Sequence, residues 1–306
     1  MEWRHTVSEA KLESSEITRS RLVVQKTPKL FFGGWVRGES GKVTKVGDSY
    51  VSIASRKDLR NAVRIGGLSQ PKWGSRDGYN KGQILYRFAE IVEGQKYSII
   101  NKIQEVTGSI NEGSANTSQT LIEDKINKFI DRVVYWAGVP DKLNSLIGSV
   151  NTVAGSFTST STPEAGGVAV VYLEGNTVLE ELDSYCDAVL PVLCNGNSVI
   201  VVTSPEFFLG LLALNEAWAS SDLDKGTLCC LTTIGDYKSS FITNAASHSG
   251  VYAIDVSGLT EAEQSLSAEV AAASLMRIRF TGSGKSTLTR LSFYSEIKTT
   301  WNTISR

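Results

Sequence analysis

Residues 168–173 have the sequence VAVVYL, an unbroken apolar run of the kind that forms a buried strand. Short runs rich in β-branched residues follow it along the chain, separated by segments of helical length. These runs are Ser198–Thr203, Thr227–Thr232, Val251–Val256 and Leu275–Phe280. Strands that alternate with helices favour parallel βαβ units, and strands that are apolar on both faces favour a sheet covered by helices. The sequence therefore predicts an α/β fold with a Rossmann-like, five-stranded parallel sheet.

The residues before this region predict a hairpin and a group of N-terminal helices. An apolar run that contains a glycine pair, residues 30–36, is typical of a β-hairpin. Ser55 and Asp58 have the spacing of a capping box, which predicts the start of a helix. The apolar positions of residues 117–137 keep helical spacing, and Gly138 then ends the pattern.

The end of the chain has a different pattern. From Leu291 onward, apolar side chains fall on alternate residues, which predicts a long amphipathic strand. The candidate interface residues on its apolar face are Leu291, Phe293, Ile297 and Trp301. A long terminal strand needs a partner edge, so we expect it to pair with a neighbouring subunit. Pairing with the Ser- and Thr-rich residues 151–164 of the same chain is the alternative, and both can hold together.

Composition and charge exclude several classes of protein. The 306 residues are 41% hydrophobic and 21% charged, with a formal net charge of -1, which does not indicate a nucleic-acid partner. No apolar stretch approaches the roughly 18 residues that a membrane helix needs. Residues 1–29 also lack the apolar middle of a secretory signal. We therefore expect a cytoplasmic protein that binds neither nucleic acid nor a membrane.

The cysteines do not predict a metal site. None of them forms a C-x-x-C pair, and the chain has only two histidines. The four cysteines are Cys186, Cys194, Cys229 and Cys230. We expect reduced structural thiols and no bound metal.

Six short motifs along the chain belong together. They are KLFFGGWV (29–36), SRKDLRNAV (55–63), Trp73, YWAG with the following DK (135–142), CNGNSVI (194–200) and YSEIKT (294–299). In this order they resemble the aldehyde dehydrogenase superfamily over most of residues 29–301. Within it, residues 56–63 and QILY (83–86) are most similar to the second, degenerate domain of sixteenth-family proteins. The resemblance implies an NAD(P)-binding oxidoreductase scaffold whose closing strand pairs across a subunit interface.

The cofactor site that this resemblance implies is altered in the present sequence. In the family, small residues after the fourth strand let the cofactor pyrophosphate approach a helix N-terminus. Gly258 keeps one of them, but Leu259 stands at the serine position and Glu263 at the second glycine position. A carboxylate a few ångströms from a phosphate costs on the order of 1 kcal/mol or more. The segment around Val202 also lacks the family lysine, so we expect no cofactor, with NAD binding disfavoured.

The catalytic positions that the resemblance implies are altered or missing. The family's catalytic glutamate corresponds to Thr281, and threonine is no general base near neutral pH. The catalytic domain with the nucleophilic cysteine is absent between Ser286 and the closing strand near Leu291. The sequence therefore predicts no catalytic residues and a chain that is not an enzyme.

Residues 282–287, GSGKST, resemble a nucleotide-binding phosphate loop in part. The pattern requires a glycine where this chain has Arg279, and it requires a following helix. Because the residues from Ser286 onward predict a strand, we interpret the segment as a tight turn between strands.

These observations predict four segments and a function. The segments are a polar and flexible N-terminus (1–28), a hairpin and helical part (29–150), the Rossmann-like sheet (151–286) and the C-terminal oligomerisation strand (287–306). The leading hypothesis is a non-catalytic structural and oligomerisation module that pairs with itself or with an active aldehyde dehydrogenase. The alternatives are an NAD(P)-binding or sensing protein, or an oxidoreductase subunit that acts on aldehydes.

Overall fold

The computed structural model describes residues 28–110, 119–210, 212–280 and 286–304. The strands of these residues are β1 (Lys29–Phe32), β2 (Trp35–Arg37), β3 (Val43–Val46), β4 (Ser49–Ser52), β5 (Ser149–Asn151), β6 (Phe157–Ala165), β7 (Val168–Tyr172), β8 (Ser198–Thr203), β9 (Leu228–Thr232), β10 (Val251–Asp255), β11 (Arg277–Arg279) and β12 (Ser295–Thr303).

The helices alternate with the strands in the second half of the chain, as the sequence predicts. They are α1 (Arg56–Gly74), α2 (Gly78–Gly94), α3 (Lys96–Ile110), α4 (Gln119–Ala137), α5 (Leu143–Ile147), α6 (Val178–Cys194), α7 (Pro205–Gly210), α8 (Leu212–Ser220), α9 (Asp236–Ala246), α10 (Glu261–Ala272) and α11 (Thr287–Phe293), with a short 3₁₀ turn at Pro140–Lys142.

The first helix begins where the capping box predicts. The Ser55 side chain accepts a hydrogen bond from the backbone N–H of Asp58, and the Asp58 carboxylate accepts one from the Ser55 N–H at 2.8 Å. These reciprocal bonds satisfy N–H groups that the first turn of a helix leaves without partners.

The five predicted parallel strands lie in one sheet, but that sheet has seven strands. Their order is β11-β10-β7-β8-β9, and the hairpin β1–β2 extends it antiparallel at the β9 edge. Gly33 makes the hairpin turn with φ +67°, and a Cβ there would lie 2.4 Å from the backbone nitrogen of Gly226. The predicted number of strands was too low because β1 and β9 are distant in sequence, and sequence periodicity does not reveal such a pairing.

Helices cover both faces of the large sheet. Every side chain of β7, β8 and β9 is buried, and the alternating residues contribute to two separate hydrophobic cores. On one face α2, α3, α4 and α6 pack together, where the Phe88 ring stacks on Trp218 with ring centroids 3.6 Å apart. On the other face α1, α9 and α10 lie against the sheet.

A second, three-stranded sheet has the order β12-β6-β5, and we call it the arm. β12 pairs antiparallel with β6 from Ser295 opposite Ala165 to Thr303 opposite Phe157. This confirms the alternative of the two predicted pairings, the one with residues 151–164 of the same chain. Among the described residues, β12 has no strand on its other side.

The predicted start of the terminal strand was wrong, because residues 287–293 form the helix α11. The Ser286 hydroxyl caps it by accepting a hydrogen bond from the Thr289 N–H at 3.2 Å. Leu291 and Tyr294, three residues apart, are both buried on one side of this segment. This three-residue spacing fits one face of a helix, and the alternation of Leu291 and Phe293 concealed it in the sequence.

No helix among the described residues is both long and apolar enough to cross a membrane.

Candidate functional site

The candidate cofactor site lies at the carboxyl edge of the parallel sheet, where ligands of open α/β folds bind. Gly258 follows β10 there, at a point where two backbones meet. A Cβ on Gly258 would lie 2.0 Å from the carbonyl oxygen of Leu173, so a side chain does not fit. Gly258 therefore allows the loop after β10 to approach the end of β7.

Leu259 fills the space beside this close approach. Its side chain is buried and belongs to the second hydrophobic core. Its N–H donates to the carbonyl oxygen of Val256 at 3.0 Å, which holds the turn. Val202, at the end of β8, is also buried in this core, so neither side chain presents a polar group to the edge of the sheet.

Glu263 closes the N-terminus of α10, together with Thr260 and Lys238; we call these three residues the Glu263 cap. The Glu263 carboxylate accepts a hydrogen bond from the Thr260 N–H at 3.0 Å, and the Thr260 hydroxyl accepts one from the Glu263 N–H at 3.4 Å. Lys238 of α9 completes the cap, with its ammonium 3.0 Å from the same carboxylate. The N-terminus of α10 is thus capped by a carboxylate of the same chain.

The charge of Glu263 is stabilised by its surroundings. Burial raises its pKa, but the hydrogen bond from the Thr260 N–H and the ammonium of Lys238 outweigh burial and lower the pKa. The carboxylate is therefore ionised at neutral pH. An incoming phosphate would meet this negative charge where the family pattern has a glycine.

Glu181 of α6 is a buried acid that the sequence analysis missed. Its carboxylate accepts hydrogen bonds from the Ser204 N–H at 3.2 Å and the Ser204 hydroxyl at 2.8 Å, just after β8. Burial raises its pKa to about 7, against the opposing effect of the Ser204 hydrogen bonds. The sequence indicates this buried acid only through the pair Glu180–Glu181, which follows the capping residue Thr177 of α6. Two acids in the first turn of a helix are equally typical of an exposed turn.

A second missed cluster, the Asp255 cluster, connects the sheet to the segment before the arm. Asp255 at the end of β10 forms a buried ion pair with Arg279 of β11, with 2.8 Å between the charged groups. The Tyr294 hydroxyl donates to the same Asp255 oxygen at 3.2 Å, and Ser257 donates to the other oxygen through its N–H and hydroxyl. Because these residues are far apart in sequence, no local motif indicates the cluster.

The CNGNSVI motif contacts residues 291–294, which lead into β12 of the arm. The Asn197 side chain donates to the carbonyl oxygen of Tyr294 at 2.7 Å and accepts from the Gly167 N–H at 2.9 Å. Asn195 donates to the carbonyl oxygen of Leu291 at 3.2 Å. Two asparagines at the end of α6 thus fix the position where β12 begins.

Two of the predicted interface residues are not on the surface strand. Leu291 is fully buried and Phe293 packs against the main core, because both belong to α11. Ile297 and Trp301 are on β12, with 50% and 64% of their surface exposed. The prediction of Leu291 as an interface residue was wrong for the same reason as the predicted strand start.

The cysteines are buried and have no disulfide bonds. Burial raises the pKa of all four thiols, so they remain protonated. The described part of the chain contains no cluster of three or more side chains suited to a metal ion.

The phosphate-loop-like segment lies mostly outside the described residues, since Thr281 and residues 282–285 are not among them. The helix α11 follows this segment, so the predicted strand was not a valid argument against a phosphate loop. Arg279 still stands where the phosphate-loop pattern requires a glycine.

The strand order defines a Rossmann-like α/β scaffold with an attached arm. The sequence pattern of the aldehyde dehydrogenase family matches residues 43–292, and the chain belongs to this family.

Known proteins similar to this chain are larger. It is 25% identical to retinal dehydrogenase 2 of Gallus gallus, over 85% of this chain and 49% of that protein. It is 23% identical to human cytosolic 10-formyltetrahydrofolate dehydrogenase, over 92% of this chain and 31% of that protein. The chain therefore spans half or less of the length of these relatives.

Solved structures show the same fold. PnpE from Pseudomonas sp. WBC-3 superimposes with a TM-score of 0.71 at 18% identity, over 83% of this chain and 50% of that one. An aldehyde dehydrogenase from Bacillus cereus in complex with NAD+ gives 0.70 at 14% identity, over 83% and 50%.

Family membership corrects one prediction. The sequence analysis predicted a chain that is not an enzyme, and this prediction is wrong, since the family and the relatives are dehydrogenases by name.

Proposed function

We propose that this chain is an oxidoreductase-family subunit that assembles, through its arm, with a second copy of itself or with another aldehyde dehydrogenase chain. The observation that carries the proposal is β12, a nine-residue strand exposed at every position after Ser295. Ile297 and Trp301 extend from the same face of this strand, since side chains two or four residues apart share a face. A long strand with a free edge and an apolar face requires a partner.

The adjoining structure supports an arm that is ready to pair. Its first residues are fixed to the main sheet by Asn195, Asn197 and the Asp255 cluster, so β12 is held at a defined position. The Phe157 side chain, 43% exposed, lies opposite Thr303 and extends the exposed apolar surface. A preformed strand loses little conformational entropy when it pairs.

The oligomeric state tests the proposal. Sedimentation velocity of the full chain is expected to give a dimer or larger species, and Trp301→Glu is expected to shift it towards the monomer. Thr300→Glu is the matched control, because it places the same charge on the opposite face of β12. A wild-type chain that stays monomeric, alone and mixed with an aldehyde dehydrogenase, contradicts assembly through the arm.

We further propose that the candidate cofactor site at the carboxyl edge of the parallel sheet is closed by the chain's own side chains, namely Leu259 and the Glu263 cap. Tryptophan fluorescence is expected to show no saturable change with NAD below millimolar concentration. The double substitution Leu259→Ser and Glu263→Gly removes the apolar and the charged obstruction and is expected to allow binding. Saturable quenching of the unaltered protein contradicts the closure and favours the alternative of an NAD(P)-binding protein.

A further inference from the structure

Lys81, in the first turns of α2, is a buried lysine that the proposed function does not use. Only 9% of its surface is exposed, and its ammonium donates a hydrogen bond to the carbonyl oxygen of Gly74 at 2.9 Å. Lysine side chains are almost never buried unless they are paired with an acid. This side chain therefore needs an explanation beyond packing.

No carboxylate among the described residues lies within ion-pair distance of Lys81. The nearby Asp77 caps α2 by accepting from the Asn80 N–H at 2.6 Å. Glu164, in the arm, pairs with Lys298 at 3.0 Å. The neighbouring thiol of Cys194 is itself buried and donates to the carbonyl oxygen of Trp136 at 3.4 Å. Each of these groups has another partner, and the Lys81 ammonium forms no ion pair among the described residues.

The pKa of Lys81 is lowered as a consequence. Burial lowers it, and the opposing influence of Cys194 and Asp77 is smaller. Burial disfavours the ammonium form because a charge in a poorly hydrated site loses its water. The neutral amine, which has a free lone pair, is therefore more populated at Lys81 than at an exposed lysine.

Lys81 lines a cavity of about 380 Å³ between the end of α1, the start of α2 and the last residues of β6 in the arm. Its lining includes the apolar or small residues Pro71, Gly74, Pro140, Leu143, Pro163 and Ala165, while polar atoms make up the larger part of its accessible wall. Lys81 and Glu164 are the charged side chains of this lining. The cavity has room for a small organic molecule beside the amine.

We propose that this cavity is a covalent binding site in which the Lys81 amine forms an imine with small aldehydes. The nitrogen lone pair attacks the carbonyl carbon, and the resulting carbinolamine loses water. The carbonyl oxygen leaves with both protons of the amine, and a C=N bond replaces the C=O bond. No electron is gained or lost, so the step needs no further reactant. The cavity includes the last residues of β6 in the arm, but it uses neither the exposed strand β12 nor the carboxyl edge of the large sheet.

Reductive trapping tests this site on the full chain. The protein is treated with butyraldehyde and cyanoborohydride at pH 7.5, and alkylation of each lysine is followed by peptide mass mapping. Lys72 and Lys142 serve as internal controls, since their side chains are 72% and 61% exposed. We expect Lys81 to be alkylated faster than both controls, because its lowered pKa leaves a larger fraction of neutral amine. Alkylation of Lys81 at or below the rate of Lys72 would overturn the proposal.

Two variants test whether the labelling of Lys81 depends on the cavity or only on the general reactivity of lysine amines. Lys81→Arg keeps a long cation, and it should remove the fast-labelled site while thermal unfolding confirms a folded protein. Ala165→Leu narrows the cavity and should slow labelling of Lys81 but not of Lys72. If Ala165→Leu leaves the Lys81 rate unchanged, the amine reacts outside the cavity and the proposed site is wrong. The measurement on the unaltered protein decides the question even if a variant does not fold.

Discussion

The carboxyl edge of the large sheet and the outer strand of the arm differ in how their polar groups find partners. At the edge, Asp255, Glu181 and Glu263 each accept hydrogen bonds from groups of the same chain. Along β12, side chains after Ser295 are exposed and one strand edge has no partner among the described residues. These three acids at the edge have partners within the chain, whereas the outer edge of β12 has no strand partner among the described residues. Substitutions at the edge should therefore change folding stability, and those on the arm should change assembly.

The largest effect is expected from Asp255→Asn, which removes the negative charge from the Asp255 cluster. Arg279 would then be a buried cation without its carboxylate, and breaking such a pair costs about 3–5 kcal/mol. Urea unfolding at pH 7 measures the loss. Glu164→Gln is the control, because its pair with Lys298 is exposed and is worth about 0–1 kcal/mol. Equal losses in both variants would remove the contrast between edge and arm.

Leu291→Ala and Trp301→Ala test the contrast directly, since both residues were predicted on one strand face. Leu291 is fully buried, so its truncation should lower the free energy of unfolding by about 2–5 kcal/mol. Trp301 is 64% exposed, so its truncation should change the stability of the monomer by only about 0.5 kcal/mol. Chemical denaturation in dilute solution gives both values. A larger loss for Trp301 would place that residue in a core.

Glu181→Gln should remove a dependence of stability on pH. The pKa of Glu181 rises from 4.5 to about 7 on folding, so the folded protein binds its proton more tightly than the unfolded chain. The contribution of Glu181 to the free energy of unfolding is then fully present below pH 4.5. It falls by about 3 kcal/mol in total as the pH rises to 7. The free energy of unfolding measured from pH 4.5 to pH 8 should show this fall in the unaltered protein and not in Glu181→Gln. Glu180→Gln, on the exposed neighbour, should retain it.

A smaller effect than that of Leu291→Ala or Glu181→Gln is expected from Glu263→Gln, which weakens the Glu263 cap by about 1 kcal/mol. Because the pKa of Glu263 is lowered, its contribution is present above the ordinary value of 4.5 and is lost as the pH falls through the lowered value. The difference between variant and unaltered protein should therefore shrink in acid below pH 4.5. Thermal unfolding at pH 7 and pH 3 measures it, with the exposed Glu261→Gln of the same helical turn as control. A difference that persists unchanged at pH 3 argues against a role for the ionised carboxylate.

The candidate site could be predicted only in part. Gly258, Leu259 and Glu263 follow one another in a short segment, so comparison with a family pattern located them and indicated a closed edge. Lys238 completes the Glu263 cap from a different helix, and Arg279 reaches Asp255 from another strand. Such pairs depend on how the strands are ordered, which periodicity does not reveal. The residues of the proposed closure were therefore predictable from the sequence, whereas the groups that contact them were not.

The sequence by itself determined the parallel strands and their alternation with helices, and it left the pairing of β12 with residues 151–164 as one of two alternatives. Local apolar runs, capping residues and period-two alternation encode these features over a few residues each. Only the tertiary structure decided that β1 and β2 extend the sheet, that Leu291 lies in a helix and is buried, and that Lys81 is buried against the carbonyl oxygen of Gly74. Each of these depends on which surface a segment meets after folding. Burial and pairing between distant segments then select among local structures that the sequence pattern allows equally.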